Sequence, residues 1–417
     1  MPRIEIPNTP FDLCYRVSAP SLEEGATNID TEYETILYFH PYWVDSFYFY
    51  PQFDDPALNE HYNLIAFDAP AHGSTIVEEM SAEPVTWVYL ARLVKDALVM
   101  LGVPSVHVVG STMGCCPAMH FASKYPEMTR TLLMCAPPAL EEASNWSLTF
   151  SECMHILINA VKNNDPEPLD AITSVIFDYN ATSHSSKVIK SLEEEYIQLI
   201  RSRLISGALN GDKTVPILIS LAFSRKQLLS LEEAVEMKPP ILIIQGTNEG
   251  WEENDDQWAK MLEETNGLHQ ERYGTEAQAK RIVLDDLPRW MTLTSSDIIN
   301  PIIKRFISTG SSKEISSLPE FEIDRSSSTT TTMKMISRTR RRSSVNPPRS
   351  RQSRSQIEVP PHDSVKLNPH NLVTSQVKSQ HDNEISDKSE IQTCRSGKSR
   401  NPSIDVNVHV DVVTKID

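Results

Sequence analysis

Thr112 stands at the centre of Val108-Val109-Gly110-Ser111-Thr112-Met113-Gly114-Cys115-Cys116, an apolar run that enters a Gly-x-x-x-Gly turn and continues as a helix. A hydroxyl held out on a sharp strand-to-helix turn can attack an acyl carbon, provided a neighbouring base takes its proton. The histidines able to serve lie in loops: His40 in His40-Pro41-Tyr42-Trp43-Val44-Asp45-Ser46, His72 in Asp68-Ala69-Pro70-Ala71-His72-Gly73-Ser74, and His269 in a polar stretch. His40 and His72 read mainly as structural residues bonded to nearby backbone, and His269 as solvent-facing. Cys115 and Cys116 read as small apolar packing residues rather than thiolate nucleophiles.

Those residues need a scaffold, and the hydrophobic pattern supplies one. Residues 11–17 alternate weakly, as an edge strand would, and residues 35–40 and 62–68 are short apolar strands. Residues 84–101 form an amphipathic helix, with Val85, Val88, Tyr89, Leu93, Ala97 and Met100 on one face. Residues 106–109 are the buried strand that feeds the turn, residues 117–125 the helix after it, and residues 131–135 a further strand. Strand and helix in strict alternation predict a parallel sheet covered on both faces. Between residues 141 and 237 the pattern changes to helices alone, for example residues 151–161 and 193–204. Strand pattern returns at residues 240–246, then a helix around residues 257–264, a last strand at 281–284 and a closing helix at 297–307.

Charge and composition divide the chain of 417 residues unevenly. Residues before 310 carry 22 of the 39 basic and 43 of the 56 acidic residues. An acidic body of that kind excludes direct binding of nucleic acid or of an anionic membrane by the core. Six cysteines make neither a disulfide framework nor a zinc pattern, and no apolar run is long enough for a membrane span or signal peptide, so a cytoplasmic setting is expected. From residue 310 onward Ser, Thr, Arg, Pro and Gln dominate, and the tail is predicted to be disordered. Its block Arg340-Arg341-Arg342-Ser343-Ser344 reads as a kinase site, a nuclear-import signal, a contact for acidic partners, or a solvated linker. The alternating residues 404–412 have the pattern of a strand that adds to a sheet edge.

In their order and spacing, His40-Pro41, Asp68 to Ser74, the Thr112 turn, His120-Phe121-Ala122-Ser123-Lys124-Tyr125-Pro126-Glu127, Pro240 to Gly246 and the closing helix resemble the α/β-hydrolase superfamily. The resemblance implies an α/β-hydrolase core of residues 1–140 and 238–309, a helical cap at 141–237 and the tail at 310–417. It also implies a triad in the chain order nucleophile, acid, histidine. Thr112 falls at the nucleophile position and Glu249, in Gly246-Thr247-Asn248-Glu249, at the acid position. The histidine position falls in the segment Leu284 to Met291, at Arg289, and no histidine lies between His269 and His362. The oxyanion hole would come from the backbone of Met113 and Tyr42. Glu249 is then either a relic of the acid or the partner of Arg289 in an ion pair.

Arginine stays protonated at any working pH and cannot act as a base. A β-branched residue is also costly at the φ above zero that such a turn demands. The expected function is therefore an impaired α/β-hydrolase-fold protein that binds a small apolar ligand under the cap, or a protein partner, with no metal and no cofactor. The alternative is an active ester or amide hydrolase that uses Thr112 with a non-standard base.

Overall fold

The computed structural model describes residues 1–21, 27–141, 144–180, 187–209, 211–224, 228–247, 252–274 and 279–311, all within a compact unit, Met1–Ser328. Glu249, the Arg/Ser block and the alternating residues 404–412 lie outside the described residues.

One sheet organises the fold. Its strands are β1 (Arg3–Glu5), β2 (Phe11–Ser18), β3 (Thr35–Phe39), β4 (Asn63–Phe67), β5 (Ile76–Val77), β6 (Val106–Ser111), β7 (Thr129–Cys135), β8 (Ile241–Gly246) and β9 (Ala279–Leu284). They lie in the order β1-β2-β4-β3-β6-β7-β8-β9, with β5 paired to β2. From β4 to β9 every pairing is parallel, whereas β2 runs antiparallel to β1, β4 and β5. Side chains alternate across the sheet: Leu37, Ile65, Val108 and Ile243 join one apolar cluster, and Ile36, Leu64, Val109 and Leu242 join the other. Strands buried on both faces show as continuous apolar runs, which is why the sequence displays them so plainly.

The helices longer than one turn among the described residues are α1 (Trp87–Met100), α2 (Cys115–Lys124), α3 (Ser144–Asn163), α4 (Glu167–Asn180), α5 (Lys187–Ile205), α6 (Thr214–Phe223), α7 (Leu231–Glu236), α8 (Glu252–Tyr273) and α9 (Ser296–Thr309). Helices α3 to α7 fill the interval between β7 and β8. No helix of the described residues is long and apolar enough to cross a membrane.

Two sequence expectations need correction. Residues 11–17 are not an edge strand, because β1 pairs with β2 and takes the outer place. Of the residues expected on the buried face of α1, Val85, Tyr89, Leu93 and Ala97 are buried, together with Trp87, Leu90, Ala91, Val94 and Leu98, while Val88 and Met100 are exposed. Thr86 caps α1 by accepting the Tyr89 N–H, so the helix starts at Trp87.

Candidate functional site

The chain order reverses between β3 and β6, so loops leaving the two strands diverge and open a crevice at their carboxyl ends, where open parallel sheets bind ligands. β6 enters it through a single 3-10 turn, Thr112–Gly114, before α2 begins. Thr112 has φ 51°, the left-handed conformation that points its side chain out of the sheet. The two glycines hold it there. A Cβ on Gly114 would lie 2.1 Å from the Phe39 carbonyl oxygen, and one on Gly110 would lie 2.7 Å from the Cys115 Cα. Only glycine lets β3, the turn and α2 approach so closely.

The Thr112 hydroxyl donates to the main-chain carbonyl of Arg289 at 3.3 Å. Arg289 is only 1% exposed, and its guanidinium stacks 3.6 Å from the centre of the Tyr179 ring. The neighbouring Ser111 turns away into a closed triangle of hydroxyls with Tyr48 and Thr292, whose edges are 2.8, 2.9 and 3.0 Å.

His40 and His72 are both buried nearby, with ring centres 5.5 Å apart. The Nδ1 of His40 lies 2.7 Å from the Pro41 carbonyl, and its Nε2 accepts the Ala69 N–H, which fixes the tautomer and leaves no nitrogen for a substrate. Burial pushes its pKa down, against the pull of the Asp68 charge. His72 bonds the Pro70 carbonyl, and burial, with His40 beside it, pushes its pKa down to about 3. His269 lies on α8 against Tyr273. Among the described residues no histidine bonds the Thr112 hydroxyl. Cys115 and Cys116 are fully buried on α2, in keeping with packing.

Above Thr112 lies a cavity of about 220 Å³. Its floor is Tyr42, Trp43, Thr112 and Met113 from the strand ends, and its walls include Ile172, Val175, Ile176 and Tyr179 of α4 with Phe150, Cys153 and Met154 of α3. Trp43 Nε1 donates to Thr173 of α4, and the Tyr42 hydroxyl donates to the Leu218 carbonyl of α6, so hydrogen bonds fasten these helices to the strand-end loops. The structure brings Thr112, Met113, Tyr42 and Arg289 into one neighbourhood. Sequence reasoning did not single out Tyr179, whose stacking on Arg289 spans more than a hundred residues. Among the described residues no cluster of three or more His, Cys, Asp or Glu is placed to hold a metal ion.

The sequence model of the alpha/beta hydrolase fold family matches residues 35–285, which cover strands β3 to β9 and the Thr112 turn and end before Arg289. This chain belongs to that family. It is 34% identical over 87 residues to a 2-hydroxy-6-oxononadienedioate/2-hydroxy-6-oxononatrienedioate hydrolase of Comamonas testosteroni, covering 20% of this chain and 29% of the relative. It is 27% identical over 135 residues to a 2-hydroxy-6-oxo-6-phenylhexa-2,4-dienoate hydrolase of the same organism, covering 32% and 46%. The chain therefore matches less than half the length of these curated relatives. Among solved structures it resembles a thermophilic esterase from Thermogutta terrifontis, with a TM-score of 0.54 at 14% identity, covering 75% of this chain and 100% of that one. An enol-lactonase from Burkholderia xenovorans gives 0.51 at 16% identity, covering 74% and 100%. At such identities the likeness is one of fold.

Proposed function

We propose that this protein uses a hydrolase scaffold to hold a small, uncharged apolar ligand beneath a cap formed by residues 141–237, without efficient turnover. The observation that carries this reading is the bond from Thr112 to the Arg289 carbonyl. Where a triad histidine would accept the hydroxyl proton, the hydroxyl meets a main-chain oxygen, and the side chain at that position is a permanent cation. Loss of the base alone lowers turnover by about 10^4 to 10^6. Backbone N–H groups of Met113 and Tyr42 remain able to polarise a carbonyl, so the ligand we favour carries one acceptor oxygen at the Thr112 end of an apolar body. The named activities of the Comamonas relatives need a working base and are not carried over.

The test has two arms. Incubation with a fluorophosphonate and with p-nitrophenyl butyrate is expected to give labelling and turnover no higher than those of Thr112→Ala. Titration with N-phenyl-1-naphthylamine, an uncharged apolar fluorophore, is expected to give a saturable rise in emission. Stoichiometric labelling at Thr112 would instead establish an active hydrolase with a substituted base, the reading that the preserved φ of 51° at Thr112 favours.

A further inference from the structure

A second cavity, of about 330 Å³, lies away from Thr112 and differs from the first in chemistry. Three cations from three separate elements line it: Arg3 of β1, Arg203 of α5 and Lys213 just before α6. Ser74, Thr75 and Thr214 supply hydroxyl-bearing walls, and the described residues lining it include no carboxylate. In a body with 43 acidic residues against 22 basic ones, such a grouping runs against the overall charge.

The hydrogen bonds of Arg203 and Lys213 go to uncharged main-chain carbonyls. Arg203 donates to the Ala71 carbonyl at 2.6 Å and Lys213 to the Glu78 carbonyl at 2.5 Å. The acids facing Arg203 from the core are Asp45 and Asp68, and each has other donors. Asp45 accepts from the Tyr196 hydroxyl and the Phe47 N–H, and Asp68 accepts from the N–H groups of Ser46 and Ser74. Helix α6 starts at the same wall with no side-chain cap, so the positive end of its dipole adds to the field.

We propose that this cavity binds a small phosphoryl oxyanion, held by Arg3, Arg203 and Lys213. Guanidinium forks and an ammonium around one concave space suit the several oxygens of a phosphate, which can take charge-assisted bonds from each. An uncharged apolar ligand would leave the cations without an anion and gain little.

A free phosphate ester and a phosphorylated lipid headgroup present the same oxygens. The full chain is therefore melted against rising inorganic phosphate at constant ionic strength, and separately sedimented with phosphatidylcholine vesicles containing phosphatidate. A saturable rise in melting temperature without sedimentation identifies a free phosphate, and sedimentation identifies a headgroup. In either case the double variant Arg3→Gln/Lys213→Gln is expected to weaken binding at least ~10-fold. Saturation in neither arm overturns the proposal, as does binding that the double variant retains. Uptake of N-phenyl-1-naphthylamine in the double variant is expected to equal that of the wild type, so the result is independent of the apolar cavity.

Discussion

A threonine at φ 51° brings its β-branch against its own backbone, and the left-handed region costs a non-glycine residue on the order of 1 to 2 kcal/mol. The turn tolerates this because its surroundings allow no other path: β6 pairs on both sides, and Gly114 lies flat on the end of β3. Gly114→Ala places a methyl group on the Phe39 carbonyl, which belongs to backbone and has little room to move. A loss of roughly 2 to 4 kcal/mol is expected, read as a lower denaturation midpoint at unchanged m-value. Thr112→Ser removes the branch and keeps the hydroxyl. Its stability is expected to rise by less than about 1 kcal/mol. Ester turnover is expected to stay at background, because the hydroxyl still meets the Arg289 carbonyl. Turnover appearing in this variant would mean that the threonine methyl, rather than the missing base, is what silences the site.

The helix that matters most to the ligand is α4. Ile172, Val175, Ile176 and Tyr179 follow the spacing i, i+3, i+4 and i+7, so one stripe of the helix forms a cavity wall. Val175 is 57% exposed while lining the cavity, which places it at the rim. Val175→Trp is expected to obstruct the opening and weaken N-phenyl-1-naphthylamine uptake about tenfold or more, with a melting temperature close to that of the wild type. Unchanged uptake would place the ligand route elsewhere. This wall also marks where sequence reading stops. Strands β3, β4, β6, β7 and β8 are legible because burial on both faces writes them as apolar runs, and the turn is legible because Gly110 and Gly114 are required sterically. Arg289 is legible as a position, since the segment after β9 must return to the site. Its stacking on Tyr179 is not, because that contact depends on how α4 packs over the strand ends. Val88 and Met100 of α1 fall outside its buried stripe for a related reason: apolar residues occur on more than one face of that helix, and packing against the sheet selects among them.

At the scale of the whole molecule, the buried ionisable groups oppose one another in their response to pH. Burial lowers the pKa of His40, His72, His107 and His120, to about 3 for His72 and about 4 for His107. In the unfolded chain these imidazoles bind protons below about pH 6.5, so their burial costs stability progressively as pH falls from there. Asp45 acts in the other direction. Burial and the neighbouring Asp68 raise its pKa to about 7, against the Tyr196 hydroxyl, the Phe47 N–H and the Arg203 charge, which favour the carboxylate. Its protonated form is favoured by folding, so the stability it contributes is complete below the unfolded pKa, about 4, and is lost as pH rises through about 7. Stability is therefore expected to fall as pH drops below about 6.5, with Asp45 softening that fall, and to level off once Asp45 is ionised above about pH 7. Asp45→Asn keeps an acceptor for Tyr196 and the Phe47 N–H but cannot ionise. Urea unfolding of this variant between pH 5 and 8.5 is expected to show a steeper fall on the acid side than the wild type and the same level profile above about pH 7.5, the slope below pH 7 changing by up to about 1.4 kcal/mol per pH unit. Parallel profiles for variant and wild type would show that Asp45 carries the same charge in the folded and unfolded states, with Arg203 compensating Asp45 and Asp68 together.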